Sequence, residues 1–208
     1  VTMARRLPVH LSHKSALALL PPSSITPPIE AVRRVHDKHF ARWPPHLNLI
    51  YPFLASPSQT TEQGNESGPP RLKEEIRVRI EKVTKNIQPF HVSLNADPPG
   101  TFSRSKRSQT VWLGPSTQSV QQLHAALQTE FTDCDSDQRP FTPHLSVGQA
   151  RSDKEVQVLS EEIKKSVFEY MIEHDKGALD WHVDTVYVIE RKGFHDRFKV
   201  VGAIELGK

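Results

Sequence analysis

Hydrophobic and polar positions along the chain alternate between short runs of period two and longer runs of helical period. The apolar run at residues 16–20 ends at Pro21-Pro22. It reads as a strand and is too short for the apolar segment of a secretion signal. Thr26 before Pro27-Pro28 has the form of a helix start, with a capping hydroxyl and then proline where its missing N–H does no harm. This helix is expected to reach about Phe40. Residues 46–53 alternate like a strand. Within 71–87, Leu72, Ile76, Ile80, Val83 and Ile87 recur at helical spacing among charged residues. Residues 90–95 and 110–113 read as strands, with a turn at Asp97-Pro-Pro-Gly100 between them. Val120, Leu123, Leu127 and Phe131 mark a further helix, and residues 144–149 a further strand. Ser152-Asp-Lys-Glu155 has the form of a capping box. It opens a helix expected to bury Val156, Leu159, Ile163, Val167 and Tyr170. Two last strands, near 179–190 and 197–206, are placed to pair as a hairpin across 191–196. The order approximates a strand–helix–strand unit used twice, an α+β chain.

Residues 56–70 are rich in Ser, Thr, Gln, Gly and Pro without apolar periodicity. They are expected to form a mobile loop within a domain spanning residues 15–206. Residues 1–14 are expected to be a flexible, basic lead-in.

Composition narrows the picture. Of the 208 residues, 36% are apolar and 25% charged, which indicates a folded chain with a substantial core. No apolar run approaches the ~20 residues of a membrane span. The single cysteine, Cys134, cannot form an internal disulfide, and Asp133 and Asp135 beside it disfavour a thiolate. A cytosolic or nuclear setting fits this usage. A formal charge of +3 leans only mildly toward anionic ligands and is weak for a dedicated duplex binder. A monomer is expected.

Candidate chemistry lies in two matched segments, Pro45-His46-Leu47-Asn48-Leu49 and Pro143-His144-Leu145-Ser146-Val147. Each opens a strand with proline, histidine, an aliphatic residue, a small hydrogen-bonding residue and another aliphatic. On a strand, residues i and i+2 share a face. His46 therefore sits with Asn48, and His144 with Ser146, while the leucines and valine face the core. Convergence of the two pairs on one cleft would supply what a phosphodiester or cyclic phosphate requires. A neutral imidazole accepts a proton from water, and an imidazolium donates one to the leaving sugar oxygen. The amide or hydroxyl grips the phosphoryl oxygens.

These segments resemble the 2H phosphoesterase superfamily, which includes 2′-5′ RNA ligase-like proteins and cyclic phosphodiesterases. Its hallmark is a pair of His-hydrophobic-Thr/Ser-hydrophobic motifs. Arg139-Pro-Phe-Thr-Pro-His-Leu-Ser-Val-Gly148 is very similar to the second copy. Pro89-Phe-His-Val-Ser-Leu94, Gly100-Thr-Phe102 and Thr110-Val-Trp-Leu-Gly114 resemble the middle section. The resemblance covers roughly residues 15–206. The wording from Trp43 to Phe53 also resembles a eukaryotic branch related to leukocyte receptor cluster member 9.

The resemblance implies a two-lobed, duplicated fold, each lobe an antiparallel sheet backed by helices, with a cleft between them. It implies metal-independent hydrolysis of 2′,3′-cyclic phosphate or 2′,5′-linked RNA or nucleotide ends, without a cofactor. Catalysis would fall to His46 and His144, and phosphate binding to Asn48 and Ser146. Asn48 departs from the usual Thr or Ser. Its amide still offers N–H donors, yet the departure favours an alternative, a module that binds RNA ends without turnover.

Other residues have two readings each. His91-Val-Ser-Leu94 matches the motif pattern but aligns with the middle, non-catalytic strand. His36 and His39 lie three apart with no third metal ligand suggested nearby. Arg104, Lys106 and Arg107 form either a solvated loop or a contact to an RNA backbone, and Arg191-Lys192 is similar. Tyr51 falls on the core side of the alternation, which favours packing. Trp43 precedes the strand and is placed to stack on a base. Trp43, Tyr51, Arg104 and Arg191 are therefore the candidate substrate contacts.

Overall fold

The computed structural model describes residues 6–60, 68–105 and 107–208. Lys106, residues 61–67 of the loop expected at 56–70 and the first five residues of the lead-in lie outside the described residues; at the start of that loop Ser58 and Gln59 form a short strand paired with Arg71 and Leu72. The strands are β1 (Leu11–Ser12), β2 (Ser15–Leu19), β3 (Leu47–Ile50), β4 (Phe53–Leu54), β5 (Ser58–Gln59), β6 (Arg71–Leu72), β7 (Phe90–Ser105), β8 (Ser108–Pro115), β9 (Leu145–Ala150), β10 (Leu179–Val183), β11 (Thr185–Glu190) and β12 (Lys199–Glu205). The helices are α1 (Pro27–His36), α2 (Glu74–Thr84), α3 (Ser119–Glu130) and α4 (Asp153–Glu173).

Two four-stranded antiparallel sheets carry the fold. The first has the order β12-β11-β2-β3 and the second β10-β7-β8-β9. The motif strands β3 and β9 are edge strands, one per sheet, and they meet each other. Helices cross between the halves. α1 leaves the first sheet but packs on β9 and α4, behind the second, whereas α3 leaves the second and packs on β3 and α2. One continuous core results, in which Leu17, Leu19, Leu47, Leu113, Leu145 and Ile163 are fully buried.

The expected α+β architecture is present, with local differences; the strand expected over 46–53, for one, is two short strands, β3 and β4, in different sheets. The segment expected as one strand over 179–190 is two strands in different sheets. Its buried positions shift phase at Asp184, from Leu179, Trp181 and Val183 to Val186 and Val188, and the chain changes sheets where the phase changes. Residues 97–100 do not reverse the chain. They bulge from the continuous strand β7, whose pairing to β8 skips from Asn95 to Gly100. The first helix ends at His36, because Asp37 is extended and its Oδ1 accepts the backbone N–H of His39. The lead-in is partly held: β1 pairs with β4, and Leu11 is buried in the core. The expected 191–196 hairpin and the capping of α4 are both found. β11 pairs with β12, and Ser152 Oγ accepts the Glu155 N–H at 3.2 Å.

Candidate functional site

His46 and His144 sit immediately before their strands, each half-buried. Nδ1 of His46 donates to the Pro44 carbonyl at 2.8 Å, and Nδ1 of His144 to the Thr142 carbonyl at 2.8 Å. Proline shapes both approaches, since Pro45 and Pro143 hold the backbone away from helix. Neither Nε2 has a protein partner among the described residues, and neither is sealed from solvent. Burial pushes His46 down from the usual histidine value to about 4, with the Arg33 and His144 charges acting in the same direction. Burial also lowers His144, aided by Arg104 and Arg139. Both shifts favour the neutral ring in the free protein at neutral pH.

The i+2 residues are half-buried between core neighbours, as alternation requires: Asn48 between Leu47 and Leu49, Ser146 between Leu145 and Val147. Asn48 Oδ1 is buried without a partner. Its amide nitrogen is not sealed from solvent, so the donor side is the one available to a ligand.

Aromatic rings brace both histidines. Trp43 stacks on His46 with ring centroids 4.3 Å apart and an 18° interplanar angle, and also contacts Phe198 at 3.9 Å. Phe102 meets His144 edge-on at 4.8 Å and stacks on Trp112 at 4.9 Å. The segment carrying Trp43 is anchored by Arg33, which is fully buried. Its guanidinium pairs with Asp37 at 3.0 Å and donates to the Trp43 carbonyl at 2.8 Å. Gly100 and Gly114 flank the Trp112 ring, and a Cβ on Gly100 would lie 2.2 Å from it.

The candidate substrate contacts divide. Trp43 is 9% exposed, so it has no open face for a base and supports His46 instead. Arg191 is also no surface contact. It is 7% exposed, and its guanidinium donates to the Phe194 and His13 carbonyls and lies over Phe198. Tyr51 packs edge-on against Trp43 and His13, and its hydroxyl donates to the His13 carbonyl at 3.4 Å. Arg104 is exposed, and its charge acts on both His144 and His39. Phe102, Trp112, Arg33 and Asp37 were not read as site residues. The alternation that puts Phe102 and Trp112 on the histidine's face was available in the sequence. The reach of Arg33 to Trp43 depends on the turn after α1 and was not.

A family model for the 2′-5′ RNA ligase superfamily matches residues 21–194, most of the chain. The chain belongs to this superfamily. Among curated proteins, OB1230 of Oceanobacillus iheyensis, a relative of this chain, carries a provisional name as a phosphoesterase. It is 28% identical over 136 residues, 65% of this chain and 70% of that protein. Escherichia coli LigT in apo form matches 94% of this chain and 98% of its own, with a TM-score of 0.55 and 17% identity. TT0787 of Thermus thermophilus matches 93% and 97%, with a TM-score of 0.51 and 15% identity. These two structures establish the common fold.

Elsewhere in the chain, His91 and His182 are exposed cross-strand neighbours with ring nitrogens 3.2 Å apart, on strands β7 and β10. His36 bonds Glu162 and ties α1 to α4, and His39 Nδ1 accepts from Arg42. No group of three or more His, Cys, Asp or Glu positioned to hold a metal occurs among the described residues. Cys134 is buried, and burial first, then Asp133, pushes its thiol up to about 12. No helix among the described residues is long and apolar enough to cross a membrane.

Proposed function

We propose that this chain hydrolyses 2′,3′-cyclic phosphate or 2′,5′-phosphodiester ends of RNA or small nucleotides, by acid–base catalysis between His46 and His144. The observation that carries this reading is the matched Nδ1-to-carbonyl bond. A carbonyl oxygen only accepts, so Nδ1 holds the proton in each ring and Nε2 carries the lone pair when the ring is neutral.

His46, held more strongly neutral, suits the base. Its Nε2 takes a proton from water as the water oxygen bonds to phosphorus. His144, protonated once the phosphate anion is bound, gives its Nε2 proton to the sugar oxygen as the P–O bond breaks. The pair thus exchanges one proton per turnover. Asn48 and Ser146 donate to the phosphoryl oxygens, where charge accumulates. E. coli LigT has been crystallised with 3′-AMP, a nucleotide with its phosphate on a ribose hydroxyl, which accords with this substrate class.

The test is incubation with each 2′,3′-cyclic nucleoside monophosphate and a 2′,5′-linked adenylate dimer, in EDTA, with products separated by chromatography. We expect a single monophosphate isomer from the cyclic substrates, lost on substitution of either histidine. Tight binding of cyclic-phosphate RNA without product would replace catalysis by end recognition. Product that requires an added metal would overturn the two-histidine mechanism.

A further inference from the structure

A largely half-buried face of the second sheet continues from His144 to a basic pocket at the far end of β9. Strand register defines the path. Ser146 faces Trp112, and Gln149 faces Thr110, which in turn faces Phe102. Trp112, Thr110 and Ser108 share a side of β8 by alternation, and Arg104 follows Phe102 on β7 at a bulge between Ser103 and Ser105. From His144 to Gln149 the strand covers roughly 17 Å, about the rise of five stacked nucleotides. At its end, Lys38, Arg107 and Arg151 line a pocket of about 260 Å³ together with His36, Ser108 and Gln149.

The cations of this pocket are uncommitted. Lys38, Arg107 and Arg151, and Arg104 along the path, are exposed and form no ion pair among the described residues. The nearby carboxylates are engaged: Asp37 by Arg33, Glu162 by His36, Asp153 by Gln109 and Glu155 by the Arg151 backbone N–H. Gln149 is fixed at the pocket floor, accepting from the Lys38 N–H and donating to Asp37. Between pocket and histidine lie the half-buried rings of Phe102 and Trp112.

We propose that this strip is a binding track for single-stranded oligonucleotide, with backbone phosphates held by Lys38, Arg107 and Arg151 while the terminal phosphate lies at the histidines. The proposal rests on the phosphate-end reading and extends it from mononucleotides to chains of about five or more nucleotides. Basic side chains that follow a backbone, interleaved with aromatic rings that meet bases, suit a single strand. A duplex keeps its bases stacked away from such rings. An RNA with its phosphate at the 3′ end has the rest of its chain free to run along β9.

The test is fluorescence anisotropy at fixed salt, using a 5′-fluorescein octaribonucleotide with a 3′-phosphate, a dinucleotide with the same end, and a blunt duplex of equal length. The wild type should bind the octamer at least tenfold more tightly than the dinucleotide. Lys38→Ala/Arg107→Ala/Arg151→Ala should remove that difference and leave dinucleotide affinity unchanged, which also shows that the variant is folded. Its log–log salt slope should fall by about two, near 0.7 for each of three lost contacts. Arg107→Glu alone, at the exposed hairpin tip, should act in the same direction, and Lys38→Arg/Arg107→Lys/Arg151→Lys should retain octamer binding. Equal wild-type affinity for octamer and dinucleotide, or tighter binding of the duplex, would overturn the track. Octamer binding with no turnover of any cyclic end would remove the catalytic reading and leave the track standing.

Discussion

His46 and His144 are held by the same hydrogen bond, each donating Nδ1 to the carbonyl two residues earlier at 2.8 Å. Two strands in different sheets thus present imidazoles in one tautomer, with Nε2 available on both. The repeat of Pro-His in the sequence is the covalent origin of this symmetry. The surroundings are not symmetric: His46 lies against Trp43, His144 against the edge contact of Phe102. Under the proposed mechanism, this difference in environment is what would separate the acid from the base.

If the two rings act as one device, removing either should cost nearly as much as removing both. His46→Ala and His144→Ala should each lower kcat by about 10³-fold or more, within the range for acid–base groups. The double variant should be far less impaired than the product of the single effects. Turnover of a 2′,3′-cyclic nucleotide at matched enzyme concentrations checks this. Near-wild-type rates in either single variant would refute the paired mechanism.

The pH dependence follows from the two depressed histidines. In the free protein, one ring must be neutral and the other protonated. Below about 4, His46 becomes charged and the base is lost. Above the value of His144, itself lowered from 6.5, the acid is lost. The profile of kcat/KM should therefore be bell-shaped with its maximum between about 4 and 6.5. The kcat profile should sit higher, since a bound phosphate anion favours the imidazolium. A kcat/KM maximum above pH 7 would rule out this assignment.

Much of this site was legible in the chain. The two Pro-His-aliphatic-polar-aliphatic segments predicted the alternating burial that leaves Asn48 and Ser146 half-buried between core neighbours, because strand alternation is a local property. The sheet assignment of 179–190 was not read, although the phase shift at Asp184 was present in the pattern. Trp43 was read as placed to stack on a base, and Arg191 as either a solvated residue or a contact to an RNA backbone. Their burial arises from contacts distant in sequence. Phe198 lies against both, and Arg191 reaches the carbonyl of His13. The exchange of helices between the two halves is likewise tertiary, and no periodicity within one helix encodes it.

Asn48 should separate stability from activity. Its Oδ1 is buried without a partner, a cost of about 1–3 kcal/mol. Asn48→Thr removes that orphan, suits a strand and keeps a donor. It should raise the melting temperature by a few degrees and retain turnover. Asn48→Ala also removes the orphan but deletes the donor, so it should be no less stable while kcat falls about 10²-fold, as for loss of a single oxyanion donor. Ser146→Ala should show a similar loss. Thermal melts paired with cyclic-nucleotide kinetics test this, and full activity in Asn48→Ala would remove the residue from phosphate binding.

The Arg33–Asp37 pair links stability to the state of His46. The side chains are 1% and 3% exposed and meet at 3.0 Å, and Arg33 also holds the Trp43 carbonyl. Arg33→Met leaves the Asp37 carboxylate buried without its cation, which should cost about 3–5 kcal/mol. Arg33→Met/Asp37→Asn removes the stranded charge, and the introduced amide oxygen can still accept from the His39 N–H, so the double variant should recover part of that loss. The Arg33 charge helps keep His46 neutral. Its removal should therefore raise the acid limb of the kcat/KM profile above about 4. In the double variant the limb should move less than removal of the cation alone dictates, because the Asp37 charge favours protonation and is lost as well. Chemical denaturation and pH–rate profiles of both variants measure the two effects separately. An unchanged acid limb in Arg33→Met, in protein that is folded, would show that burial alone holds His46 neutral.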